Sequence, residues 1–133
     1  MGFLSDPKYM GYKGFQTADT AEPYFELMVL PFDEGVPLPC FRDSVGRQED
    51  MPKGFVLYYT NQCPFTAKYV PILEEMAKAR NAVFRSVHIQ TREDAQNAPS
   101  PFTTFSLFYD RQLVTHEILS EKKFDKILAD KGV

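Results

Sequence analysis

The chain has 133 residues, 44% hydrophobic and 25% charged, with a formal net charge of −3. Those values fit a soluble globular class, with room for one ordinary domain and a short extension. Lys and Arg form no basic stripe, and no apolar run approaches the ~20 residues that span a bilayer, so neither nucleic acid nor a membrane is an expected partner.

The N-terminal MGFLSDPKYM lacks the basic region and apolar stretch of a secretory signal, and Asp6 stands where myristoylation needs Ser or Thr. A cytoplasmic location is the expectation. Strand formers then appear twice, in GFQTAD (14–19) and YFELMVLPF (24–32), with TAEP between them as the turn of a hairpin. Pro37, Pro39, Asp43, Ser44, Gly46 and a charged run through Asp50 read as a linker, because prolines at this density do not fit a central strand or a helix interior. The apolar faces of the hairpin need a partner, and an exposed strand edge invites pairing. A dimer through residues 14–32 is one expectation.

From Gly54 the order is clear. GFVLYYT is a short, continuously apolar strand, as expected when both faces are buried. Pro64 lies at a first helical position, where its missing N–H costs nothing. Phe65, Tyr69, Ile72, Leu73 and Met76 then recur at helical spacing as one stripe. VFRSVHI (83–89) is a second strand, and REDAQNAP holds a short helix or loop. FSLFY (105–109) and LVTHEI (113–118) flank Asp110-Arg111-Gln112 at hairpin spacing, and Ser120 can cap a last helix with Phe124, Ile127 and Leu128 inward. The fold class is α/β, a βαβ…ββα unit over 54–133 behind a short β-hairpin extension and linker over 1–53. A right-handed crossover makes its first two strands parallel.

Cys40 and Cys63 are too few for a disulfide framework and read as thiols, with one bridge between them left open. Cys63 stands between a strand and a helix, where free N–H groups and the helix dipole favour a thiolate. A redox pair would carry its second cysteine at residue 66. Thr66 is there instead; its hydroxyl can stabilise a thiolate but cannot resolve a mixed disulfide. Chemistry at Cys63 is therefore monothiol, unless the linker folds back and brings Cys40 to resolve it. The alternative is a small buried hydrophobe under a helix. His88 and His116 read as strand histidines. With the cysteines they lack zinc-ligand spacing, so no metal is expected.

Cys63, Pro71, Ile72, Leu73, Glu75 and Ala77 stand as in thioredoxin, where a proline eight residues past the first cysteine kinks the helix. CPFT resembles the motif of glutaredoxins and cysteine-bearing glutathione transferases. That resemblance implies a thioredoxin-like fold with Cys63 and Thr66 as candidate catalytic residues. Pro64, Phe65, Pro101, Phe102 and Thr103 are then candidate binding residues around the thiol. Thioredoxins place a cis-proline before the third strand; here that place falls on Thr103, with Pro101 two residues early. The double glycine of the glutathione-binding relatives is missing, which speaks against that ligand.

AEPYFELMVLPF, LYYTNQCPFTAKYVPILEEMA, VHIQTREDAQNAPSPFTTFSLFY and VTHEILSEKKF resemble the YoaP-like family. That domain sits at the C-terminus of certain GNAT-type N-acetyltransferases, and KGFQTADTAEPYFELMVLPF resembles the last acetyltransferase strands. The resemblance implies an accessory thioredoxin-like domain that associates with an acetyltransferase subunit through residues 14–32. Gly11, Gly14, Gly35 and Gly46 are isolated, so the acetyl-CoA loop of that family is not matched and no cofactor is expected. Two other expectations are a monothiol thiol-transfer protein using Cys63, and acetyl transfer in a complex that supplies the loop.

Overall fold

The computed structural model describes residues 7–46 and 51–133. The charged run that ends at Asp50, and Asp6, lie outside the described residues. A helix unanticipated from the sequence comes first, α1 (Pro7–Tyr12). Two strands follow, β1 (Gln16–Ala21) and β2 (Phe25–Val29), paired antiparallel as a sheet of their own with a register shift between Thr17 and Asp19. The turn is shorter than the expected TAEP and lies later: Thr20 and Ala21 still pair with β2, so the connection is Glu22-Pro23-Tyr24, with a cis Glu22–Pro23 bond.

The second sheet contains β3 (Phe55–Tyr59), β4 (Phe84–His88), β5 (Phe105–Tyr109) and β6 (Gln112–Thr115), in the spatial order β4-β3-β5-β6. β3 and β4 are parallel and are joined by α2 (Pro64–Ala79), while β5 and β6 add antiparallel. Between β4 and β5 lies α3 (Arg92–Gln96), and α4 (Glu121–Asp130) closes the chain. The βαβ…ββα order read from the sequence is the one observed.

Alternation along the strands assigns the two faces. Phe55 and Leu57 of β3, Phe105 and Leu107 of β5, and half-buried Phe84 of β4 form one cluster with Val70, Leu73 and Ala77 of α2 and Phe124 and Leu128 of α4. Val56 and Phe108 face the other way, under Met51 with Val87 and Leu113. β3 is thus buried on both sides, which is why its sequence shows no alternation.

The buried face of α2 is Thr66, Val70, Leu73 and Ala77, one position round the helix from the predicted stripe. Of that stripe Leu73 is buried, whereas Phe65 is 59% exposed. Thr66 and Ala77 are small enough to let the helix approach the sheet, and counting only large apolar residues missed them. Asn81 ends α2 with φ +55°, donating to the Lys78 carbonyl while Ala82 donates to Ala77 at 2.9 Å. Gly132 and Val133 end α4 with the same pair of bonds, to Ala129 and Leu128. An Arg80–Asp125 ion pair ties the end of α2 to the middle of α4.

The β5–β6 turn is tighter than the expected three-residue loop. Tyr109 pairs with Gln112, leaving Asp110 and Arg111 as a two-residue turn with φ of +46° and +72°. Positive φ at both central residues matches the twist of the flanking strands. β6 stops at Thr115, so His116 is not a strand residue as expected. It leaves the ladder to hydrogen-bond the Tyr24 hydroxyl through Nδ1 and to meet the rings of Phe25 and Phe102 edge-on. Burial first, and then the Glu117 carboxylate, push the Tyr24 phenol above its ordinary value.

Candidate functional site at the start of the second helix

β3 ends at Tyr59 and the chain turns through Thr60, Asn61 and Gln62 into α2. Cys63 is the N-cap residue, with extended dihedrals (φ −117°, ψ 126°), and Pro64 is first in the helix. The Cys63 side chain makes no capping hydrogen bond and is partly exposed. Its carbonyl accepts from the Thr66 N–H at 3.1 Å. The thiol thus sits at the amide end of a 16-residue helix, where the dipole favours a negative charge.

Thr66 is 0% exposed, and its Oγ1 has no hydrogen-bond partner. The expected hydroxyl-to-sulfur hydrogen bond is therefore absent. Thr66 shares the buried face of α2 with Val70 and Leu73, while its neighbour Phe65 is exposed. A buried hydroxyl without a partner carries a desolvation cost that its methyl group only partly offsets.

The loop before β5 comes to the same end of the sheet. Thr60 donates its N–H to the Thr104 carbonyl at 3.1 Å, and the Thr104 hydroxyl donates to Gln62 Oε1 at 3.0 Å. Gln62 and Thr104 were not among the sequence candidates; nothing in their spacing marks a bond across 42 positions. Pro101 and Thr103 also belong to the loop before β5. They line a cavity of about 260 Å³ with Cys40, Arg42 and Leu27, and Cys63 is not among its lining residues. Phe102 packs edge-on against His116, with ring centroids 4.9 Å apart. Its N–H donates to Ser100 Oγ, and its carbonyl accepts from the Ser106 hydroxyl. Ser100–Pro101 is trans, the only cis peptide among the described residues being Glu22–Pro23.

The linker does fold back. Phe41 N–H donates to Asp19 Oδ2, Ser44 Oγ to the Gln96 carbonyl, and Gly46 N–H to the Pro99 carbonyl. It brings Cys40 to the loop that precedes β5. His88 stacks flat on Tyr59 at 4.7 Å, and its Nδ1 meets the Gln90 amide. Among the described residues no three His, Cys, Asp or Glu side chains gather as metal ligands, and no described helix is long and apolar enough to cross a membrane.

The fold and site define a mixed α/β protein with a lone cysteine at the start of the helix that links two parallel strands. The YoaP-like family model matches residues 84–126, from the start of β4 into α4. Over 126 residues, 95% of its length, the chain is 39% identical to the Bacillus subtilis (strain 168) protein named "Uncharacterized N-acetyltransferase YoaP". That alignment covers 50% of the relative, so the chain spans about half the length of the curated protein it matches. No solved structure matches the chain. The YoaP-like resemblance read from the sequence agrees with both matches.

Proposed function

We propose that this chain is an accessory, thioredoxin-like unit of an N-acetyltransferase-type protein, without acetyl-CoA binding of its own. The relative's name supports the acetyltransferase association, and the half-length coverage supports a part played beside a separate catalytic body. The strand order β4-β3-β5-β6, with its parallel pair joined through α2, supports the thioredoxin-like assignment. Thr66 carries the accessory reading. A dithiol exchange site releases its mixed disulfide with a second sulfur at that position, and the chain has a fully buried hydroxyl there.

A second reading is favoured by one observation, the partly exposed, uncapped Cys63 thiol at the amide end of α2. In that reading Cys63 is the nucleophile of a monothiol transfer. Its thiolate attacks one sulfur of a disulfide, a mixed disulfide forms, and the other half departs as a thiol after taking up a proton. Pro64 and Phe65 then flank the incoming group.

Two measurements on the Cys40→Ser protein divide the readings. Calorimetry with acetyl-CoA is expected to show no heat of binding, and saturable binding removes the accessory reading. Incubation with oxidised glutathione, read by intact mass, is expected to build the Cys63 adduct no faster than in an unstructured cysteine peptide. A rate tenfold above that peptide establishes the monothiol reading in its place.

A further inference from the structure

The surface formed by β2 and the loop after it is left unused by the site at Cys63. Among the described residues β1 and β2 make a two-stranded sheet on their own, and neither outer edge pairs with a further strand. An isolated pair of strands is marginal in water and is stabilised by further strands or by a covering layer. Beside it Phe32 is 90% exposed, Val36 60% and Leu38 49%. With Pro31, Asp33 and Glu34 these residues line a concavity of about 320 Å³. Exposed apolar side chains gathered beside a concavity and rimmed by polar residues are the features of a contact surface.

Charge narrows the occupant. From Gly14 to Phe41 the chain carries Asp19, Glu22, Glu26, Asp33 and Glu34 and no Lys, Arg or His. A second copy presenting the same patch across a two-fold axis sets these carboxylates against one another, and like charges opposed in this way cost affinity. A nucleic acid or an anionic lipid surface meets the same repulsion. A basic polypeptide does not.

We propose that β2 and residues 31–38 are a docking surface for an extended protein segment in which Lys or Arg alternates with apolar side chains. Such a segment adds to a free edge of the β1–β2 sheet by main-chain hydrogen bonds. Its apolar side chains enter the concavity against Phe32, Val36 and Leu38, and its cations meet Glu26, Asp33 and Glu34. The surface is independent of the thiol chemistry, and its fate does not depend on the reading of Cys63.

The test uses the whole chain and two labelled eight-residue peptides, one alternating Lys and Val, the other Glu and Val. Fluorescence anisotropy in moderate salt is expected to show the Lys peptide binding at least tenfold more tightly than the Glu peptide. Asp33→Asn with Glu34→Gln is expected to weaken that binding about tenfold, and Phe32→Ser to weaken it as well. All three side chains are exposed, so circular dichroism should be unchanged. Hydrogen exchange with the Lys peptide bound should slow in residues 25–38. Equal affinity for both peptides, absence of binding, or binding that survives all three substitutions overturns the proposal. A concentration-dependent dimer by light scattering that Phe32→Ser abolishes also overturns it and assigns the surface to a second copy.

Discussion

Gly54 is the position where one methyl group tests the packing of the central sheet. It lies just before β3 with φ +92°, a conformation that costs a non-glycine residue about 1–2 kcal/mol. A Cβ built there lies 2.8 Å from Val83 Cβ and 2.8 Å from the Val83 carbonyl oxygen. That oxygen accepts the first bond between β3 and β4, from Phe55 N–H at 2.8 Å, so it cannot retreat without opening the ladder. Asp110 holds Gly54 on the other side, its Oδ1 accepting from Gly54 N–H at 2.8 Å and its own N–H donating to the Gly54 carbonyl at 3.0 Å. Overpacking of a fixed site costs roughly 1–3 kcal/mol, so Gly54→Ala should lose about 2–5 kcal/mol in all. Gly46→Ala is the control: φ is +85° there, but nothing lies within 4 Å of the added carbon. It should lose only the conformational part, and the entropy lost from the unfolded chain cancels between the two variants. With a urea slope of about 1.5 kcal/mol per molar, the roughly 1–3 kcal/mol that separates the two variants moves the midpoint by about 0.7–2 M. A Gly54→Ala protein that unfolds at the same urea concentration as Gly46→Ala would falsify this account of the β3–β4 junction.

Thr66→Val keeps the volume of a fully buried side chain and deletes its unpartnered hydroxyl. Urea unfolding should show no loss, or a gain on the order of 1 kcal/mol, and a clear loss would mean that the hydroxyl has a partner after all. Leu73→Ala empties a site with 0% exposure between α2 and the sheet, and should cost about 3–5 kcal/mol by the same measurement. The backbone N–H of Gln90 foremost, and then Thr91, hold the Asp94 carboxyl below its ordinary value in the capping box of α3. A lowered carboxyl adds stability above its unfolded value of about 3.9, and the contribution disappears as pH falls through the folded value. Stability followed below pH ~4 should therefore drop less steeply in Asp94→Asn than in the parent, and parallel acid limbs refute the assignment.

The parts legible in the sequence were those where one local rule acted alone. β3 announced itself through five consecutive strand formers, and α2 through Pro64 and a helical period. Long-range pairing decided the rest. His116 is in an apolar alternation that reads as strand, yet Tyr24, 92 positions away, draws it off the ladder. Helix α1 is short, contains Gly11 and exposes Tyr12, so it has no apolar stripe to betray it. At the candidate site Cys63 was placed correctly on a helix start, because Pro64 fixes that boundary. The company it keeps was not legible. Nothing in the spacing shows that the linker carries Cys40 into a cavity lined by Pro101 and Thr103.

The bonds at Phe41 and Ser44 set a leash length. Phe41 is fastened to β1 through Asp19, and Ser44 to the carboxyl end of α3 through Gln96. Three residue steps separate these anchors, and fully stretched they reach roughly 10–11 Å. The bond from Tyr24 to His116 is a third clasp, so while these hold, the hairpin and anything captured on its acidic edge stay close to the larger sheet.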